Sequence, residues 1–338
     1  MKLLSCLAFL TFALSVHAHH SRIQYDTTAI VEMSGEIVAV RWRNPHVMFT
    51  LQVAGEGNGT IDWMLEAGSI YMLGRTGVTK NVMQIGDRVD IAGYAATNGS
   101  PEFYLTNVRL VDGQEIVMVP AAKPYWSDAA VGGLEQWSSA SKADANSADQ
   151  GLFRVWSLDQ INFGLTGSRE SGLPLTAEAR KQREVFDPLT DDPGLDCIKP
   201  GMPSAMTGPH PFQFIDGGDE ITVLIAEFDI RRTIHLGEKQ DPASMPPDKQ
   251  GYSHGVWDNG VLEVHTSHVD WPFFDGTGTP LGSDAQMIEQ FSLSDDGLRL
   301  NYEIVITDSS TFTRPVTINK YWVDLGEPME VYNCVATP

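Results

Sequence analysis

The chain has 338 residues, of which 44 are acidic and 23 are basic, and its net charge is −21. A surface of this charge repels nucleic acid and anionic lipid, and it favours cationic partners or simple solubility. The length is sufficient for two domains, each with a core of its own.

The N-terminus predicts a secretory signal peptide over residues 1–18. Lys2 is followed by an apolar run that closes with Val16-His17-Ala18, a small-x-small cleavage signal. The run is shorter than the roughly 20 residues that a membrane span needs. We therefore expect a periplasmic or secreted protein without an integral membrane segment after cleavage, whose mature chain begins at His19.

Residues 19–119 predict an OB-like β-barrel domain. Short alternating or β-branched runs are separated by turn residues, and one helical segment at 69–74 interrupts them. Five or six strands with one short helix in so short a segment are typical of a small closed barrel. The predicted strands are 37–43, 47–53, 61–66, 88–94, 103–110 and 115–119.

Residues 120–150 predict a linker, because Ala, Ser, Asp and Gly dominate this stretch. The second domain then covers residues 151–338. A helix is expected at 177–186, with Thr176 as its N-cap. Strand follows strand from 212 onward, which indicates an antiparallel, lipocalin-like barrel of about eight strands. These strands are 212–215, 220–227, 231–236, 252–257, 261–265, 286–293, 298–307, 311–323 and 329–335.

Two cysteines, Cys197 and Cys334, remain after the predicted cleavage. An even number of cysteines in an oxidising compartment indicates a disulfide. We expect a bridge that ties the start of the second domain to the end of the chain.

Several motifs resemble a family of uncharacterised secreted bacterial proteins. Mature members begin with His-His-Ser followed by Tyr/Phe-Asp, and this chain has His19-His20-Ser21 and Tyr25-Asp26. A Trp-x-Asn-Pro-His motif follows at residues 42–46, and an Ile-Gly-Asp-x-Val-x-Ile-x-Gly strand at 85–93. The second domain is similar to a companion module of such proteins. The resemblance implies export and architecture, and it carries no established activity.

The predicted mature terminus is the first candidate metal site. A terminal His19 offers its α-amine and its imidazole to one ion, and a third nitrogen from His46 or His20 completes a set that suits Cu(II). The α-amine has an ordinary pKa near 8, so protons compete only mildly for it. In the alternative interpretation the terminus is frayed and His46 has a structural role.

A second candidate metal site lies in a predicted hairpin. If Asn259-Gly260 forms a two-residue type I′ turn, His254 and His265 face each other across the hairpin. Directly opposed side chains have Cβ atoms about 5 Å apart, so two imidazoles can share one metal. His268 lies just beyond, and the set of His254, His265 and His268 suits a divalent zinc or copper ion. The polar outer face of an edge hairpin is the alternative.

Four tryptophans of the second domain are candidates for lining a ligand cavity, since barrels of about eight strands can hold one small molecule. The alternative is that these rings fill the core. They are Trp156, Trp257, Trp271 and Trp322.

The sequence therefore predicts a periplasmic, all-β binding protein. Its partner is a metal ion or a small molecule, and copper is the most specific hypothesis. The second hypothesis is a carrier of a small apolar ligand in the second barrel. An enzyme of unknown class is the third, although no hydrolase, metalloprotease or phosphate-binding motif occurs.

Overall fold

Two β-sheets, one of seven strands and one of nine, form most of the regular structure of the protein. The computed structural model describes residues 25–44, 46–55, 57, 59–136, 150–158, 172–187, 191–324, 326, 329 and 331–334. Only 12% of the structure is helical. No helix in these ranges is long and apolar enough to cross a membrane.

The first barrel has the OB-like form that the sequence predicts. Its sheet order is β3-β2-β1-β4-β5, and a parallel pairing of β3 with β5 closes the five strands into a barrel. A short helix, α1, connects β3 to β4, and the Ser69 side chain caps its N-terminus. The elements are β1 (Val31–Arg41), β2 (Met48–Ala54), β3 (Thr60–Glu66), α1 (Ile70–Arg75), β4 (Arg88–Ala95) and β5 (Glu102–Leu110).

Strand β1 pairs with both β2 and β4, and two features let it coil between them. The register shifts between Ile37 and Ala39, which marks a β-bulge. At Gly35 a Cβ atom would lie only 2.4 Å from the Gln52 carbonyl oxygen, so no larger residue fits this close approach. The barrel then closes around a core that contains Ile37, Phe49, Leu51, Leu65, Ile91 and Phe103.

Part of the stretch predicted as a linker packs on the first barrel. Strands β6 (Glu115–Val117) and β7 (Val131–Gly132) extend its sheet beyond β5. The fully buried Glu115 side chain accepts hydrogen bonds from the backbone N–H groups of Tyr125, Trp126 and Ser127, at 2.5, 2.9 and 2.6 Å. A buried carboxylate needs such donors, so Glu115 holds the chain against the barrel. Residues 137–149 lie outside the described residues.

The second barrel has nine strands that are neighbours in chain order. Ser157 and Val323 exchange two backbone hydrogen bonds of 3.0 and 2.9 Å between its first and last strands, so the barrel is nearly closed. Helix α2 begins after Thr176, whose hydroxyl accepts from the Ala179 N–H as predicted. The elements are β8 (Val155–Trp156), α2 (Ala177–Val185), α3 (Ser204–Thr207), β9 (Phe212–Asp216), β10 (Glu220–Ile225), β11 (Ile230–His235), β12 (Tyr252–Asp258), β13 (Val261–Ser267), β14 (Gln286–Leu293), β15 (Arg299–Thr307) and β16 (Val316–Val323).

Two details of the predicted meander are wrong. Strands β11 and β12 pair in parallel, because the long connection after His235 returns the chain to the same end of the sheet. The expected last strand, 329–335, does not form within its described residues. Cys334 instead makes an isolated parallel bridge with Asn44 of the first barrel.

Candidate functional site

The Trp-x-Asn-Pro-His motif lies at the junction between the two barrels. The Asn44 side chain donates a hydrogen bond from Nδ2 to the Tyr332 carbonyl oxygen at 2.7 Å, and its Oδ1 accepts from the Ile70 N–H at 3.2 Å. The predicted disulfide between Cys197 and Cys334 is confirmed. It ties the segment that Asn44 binds to the body of the second barrel.

His46, Glu66 and Tyr25 form a hydrogen-bonded set beside Asn44. Glu66 is buried at the end of β3, and its carboxylate bonds to His46 Nδ1 through Oε1. The other oxygen, Oε2, accepts the Tyr25 hydroxyl at 3.0 Å. The first-domain motifs that carry the resemblance, at 25–26 and 42–46, therefore meet at one carboxylate.

Two opposing effects act on the pKa of His46. Burial lowers this pKa, but the negative charge of Glu66 and its hydrogen bond outweigh burial, and Asp192 of the second barrel adds to them. The pKa of His46 is therefore raised above its ordinary value. The His46 side chain is 38% exposed, and Glu66 holds its Nδ1. Nε2 is the ring nitrogen that remains for another partner.

The second barrel places a largely buried acid, Glu227, and a buried base, His210, at the same junction. His210 Nε2 lies 3.6 Å from Glu227 Oε1. Burial raises the pKa of Glu227 to about 7, with Asp192 adding to the shift and Lys320 opposing it. Burial and the positive charge of Lys320 lower the pKa of His210 to about 4. Near neutral pH His210 is thus uncharged, and Glu227 is poised between its two forms.

Aromatic rings enclose His210 from both barrels. Its ring centroid is 6.2 Å from that of Tyr71 and 5.6 Å from that of Tyr332. The Nδ1 atom of His210 is buried and has no hydrogen-bond partner in the described part of the chain. Burial, together with the nearby Glu227, also raises the pKa of Tyr332.

The backbone after Glu227 adopts the left-handed conformation at two residues that are not glycine. Phe228 and Asp229 both have φ of 52°. Strained backbone of this kind persists only where its surroundings hold it, and it concentrates at functional sites. Here the Asp229 carboxylate accepts the Tyr332 N–H at 3.0 Å, which docks the C-terminal segment.

This arrangement supports two kinds of chemistry at His46. A histidine whose Nδ1–H is held by a carboxylate is the usual form of a metal-ligating imidazole. The same geometry orients a general base. Within the described ranges, no three His, Cys, Asp or Glu side chains converge on a point where a metal ion could sit.

The two predicted metal sets are placed differently. His19 and His20 lie outside the described residues, so of the first set only His46 has a described position.

In the second set His254 and His265 face each other across the hairpin, as the sequence predicts. Asn259 and Gly260 form the turn with φ of 48° and 83°, as a type I′ turn requires. His268 follows β13, and its Nδ1 lies 3.1 Å from Ser267 Oγ.

The four candidate tryptophans do not share one environment. Trp156 and Trp322 are fully buried in the core of the second barrel, where the Trp322 ring centroid lies 4.7 Å from that of Phe212. Trp271 is also buried, whereas Trp257 is 44% exposed. The two innermost rings pack against other side chains of the barrel core.

Sequence reasoning missed the acidic residues of the junction and a buried ion pair. Arg232 and Glu289 are fully buried inside the second barrel and bond to each other. Strand alternation contained the signal, because Arg232 has the same parity as the buried Ile230 and Ile234. Glu66 and Glu227 carried no such signal, since they lie at or beyond the end of a strand and their partners are distant in sequence.

Comparison with known protein families gives a match in the N-terminal part of the chain. Residues 8–103 match a family of unknown function (DUF6152). The matched segment includes Tyr25, Asn44, His46 and Glu66, and it fits the uncharacterised family that the sequence resembles. No curated protein matches the chain.

Proposed function

We propose that the protein is exported to the periplasm and binds Cu(II) where His46 meets the mature N-terminus. The observation that carries this proposal is the bond between His46 Nδ1 and Glu66. It sets the ring in the tautomer that leaves Nε2 as a ligand, and the His46 side chain is 38% exposed.

The position of Tyr25 brings the predicted terminus within reach of His46. The Tyr25 hydroxyl bonds to the same carboxylate as His46, and its backbone bridges to Ala96. Five residues lie between His19 and Tyr25, and the six steps from one to the other span at most about 20 Å. The amine and ring of a terminal His19 can therefore approach His46 Nε2.

The donor set favours copper among the divalent ions. An α-amine and an imidazole from one residue form a chelate, and a third nitrogen from His46 gives the planar nitrogen geometry that Cu(II) prefers. His20 remains the alternative third ligand. The acidic protein, with 44 Asp and Glu residues, also attracts a cation electrostatically.

The test compares copper binding by four forms of the protein after N-terminal sequencing confirms that each begins as intended. The mature wild type should bind one Cu(II) with nitrogen hyperfine structure in its electron paramagnetic resonance spectrum. A form with one extra residue before His19 should lose this chelate. Glu66→Gln, which weakens the orientation of His46, should lower the affinity by about 10–100-fold. His268→Gln removes an exposed imidazole elsewhere and should have no effect.

Two results would overturn the proposal. One is unchanged copper affinity in the form with the extra residue. The other is a mature chain that begins at a residue other than His19. Circular dichroism and the thermal unfolding midpoint of each form separate a loss of ligands from a loss of fold.

A further inference from the structure

Three histidines form a row across the outer face of the second barrel. The parallel pairing of β11 with β12 sets His235 beside His254, and the antiparallel pairing of β12 with β13 sets His254 beside His265. Neighbouring strands lie about 4.8 Å apart, so each ring of this row has another within reach. The sequence alone indicated only the pair across the hairpin, because the parallel pairing has no local signature.

All three side chains point outward from the barrel. The residues that flank them in their strands face the interior, as the buried Ile234, Ser253 and Thr266 show. The His235 side chain is 21% exposed and that of His265 is 46% exposed. The row is therefore open to ions in solution.

Each ring has one nitrogen held by an oxygen of the protein. His235 Nδ1 lies 2.9 Å from Glu220 Oε1, and His265 Nε2 lies 2.8 Å from Glu263 Oε1. His254 Nε2 lies 3.0 Å from the Gly237 carbonyl oxygen. Carboxylate and carbonyl partners of this kind orient metal-ligating histidines and fix their tautomers. The second nitrogen of each ring is then the one that can bind a metal.

Further contacts hold the partners of the row in place. Gln290 Nε2 donates to Glu263 Oε2 at 3.0 Å, so both oxygens of this carboxylate are engaged. The His235 ring stacks on Tyr252, with centroids 5.3 Å apart and planes inclined by 19°. These contacts order the Glu263 carboxylate and the His235 ring.

We propose that His235, His254 and His265 bind one Zn²⁺. Three imidazoles with a water as the fourth ligand form a set that zinc favours. The three side chains do not converge on one point as they stand, so zinc binding requires small rotations that redirect the free ring nitrogens while the bonds to Glu220, Glu263 and Gly237 are kept. This zinc site is independent of the copper site proposed at the junction.

The test titrates Zn²⁺ into the full mature chain carrying His46→Gln, which removes the imidazole of the junction from the measurement. One Zn²⁺ per chain should still bind. In this background His254→Gln should lower the affinity by more than about tenfold, and so should Glu220→Gln, which acts only through His235. His268→Gln should leave the affinity unchanged, because this residue lies outside the row.

Zinc binding that disappears with His46→Gln alone would place the ion at the junction and overturn this inference. So would an affinity that survives His254→Gln, or one that falls with His268→Gln but not with His235→Gln. The thermal unfolding midpoint of each variant identifies any that fail to fold. For these, histidine ring NMR of the parent protein supplies the readout, since bound zinc should shift the resonances of the three rings of the row.

Discussion

Glu227 and His210 lie 3.6 Å apart at the junction of the barrels, and their pKa values are displaced in opposite directions. The carboxyl has a pKa of about 7 and the imidazole one of about 4. Burial causes most of both shifts, because it disfavours the charged form of either group. Between about pH 4 and about pH 7, therefore, Glu227 is mostly protonated and His210 is mostly unprotonated. Neither group carries much charge in this range.

Replacing Glu227 with Gln should change how stability depends on pH. The folded-state pKa of about 7 exceeds the ordinary 4.5, so the folded protein holds a proton that the unfolded chain releases between these values. The wild type thus loses stability as pH rises through this window, whereas Glu227→Gln has no proton to lose. Relative to the wild type, the free energy of unfolding of the variant should rise by up to about 3 kcal/mol from acidic to mildly alkaline pH. Urea unfolding across this range measures the difference, and a difference independent of pH would contradict the assigned pKa.

His210→Phe should have the opposite pH dependence. The pKa of His210 is about 4 in the folded protein, below its ordinary value of 6.5. Between these two pH values the unfolded chain therefore binds a proton at His210 that the folded protein does not bind. The wild type loses stability as pH falls from 6.5 towards 4, by up to about 3 kcal/mol. Phenylalanine preserves the ring contacts with Tyr71 and Tyr332, and it also removes the unpaired Nδ1. In acid-induced unfolding the variant should resist low pH better than the wild type. An equal or steeper loss of its stability would contradict the expectation.

Local patterns predicted the architecture well, and the reasons are physical. Strand alternation and turn residues act within a few positions, so the OB-like barrel, the Thr176 cap and the hairpin at Asn259-Gly260 were all readable from the sequence. The hairpin register followed because a two-residue turn fixes which residues face each other.

The candidate site was readable only in part. His46 stood out through its motif, but its partner Glu66 is one of many acidic residues and is distinguished only by burial at the junction. Glu227 looked like the last residue of a strand, although the strand ends at Ile225 and the chain turns there through left-handed residues. Contacts between separate barrels leave no periodic signal in the sequence.

Removal of the disulfide should loosen the junction. The bond closes a loop between cysteines separated by 137 residues, and the chain-entropy model assigns such a closure about 5 kcal/mol. The double variant Cys197→Ser/Cys334→Ser should unfold at a lower urea concentration by a comparable free energy. Backbone hydrogen exchange should also increase at Tyr332, because its N–H is held by Asp229 in the segment that the bond anchors. Unchanged exchange there, in a variant of lowered stability, would show that the junction holds without the bond.

The buried pair of Arg232 and Glu289 predicts a contrast between single and double substitutions. Arg232 also donates to Ser253 Oγ at 3.0 Å and to Thr266 Oγ1 at 2.8 Å, and Tyr302 donates to Glu289 at 3.0 Å. Glu289→Gln leaves the guanidinium charge inside the barrel without a counter-charge, which costs about 3–5 kcal/mol.

The double variant Arg232→Met/Glu289→Leu removes both charges and substitutes apolar side chains of similar size. It should recover most of the stability lost in Glu289→Gln, because the cost arises from the unpaired charge rather than from the missing ion pair. Its recovery will be incomplete, since Ser253, Thr266 and Tyr302 each lose a partner. Urea unfolding of the wild type and the two variants measures this contrast. A double variant less stable than Glu289→Gln would show that the ion pair itself stabilises the barrel.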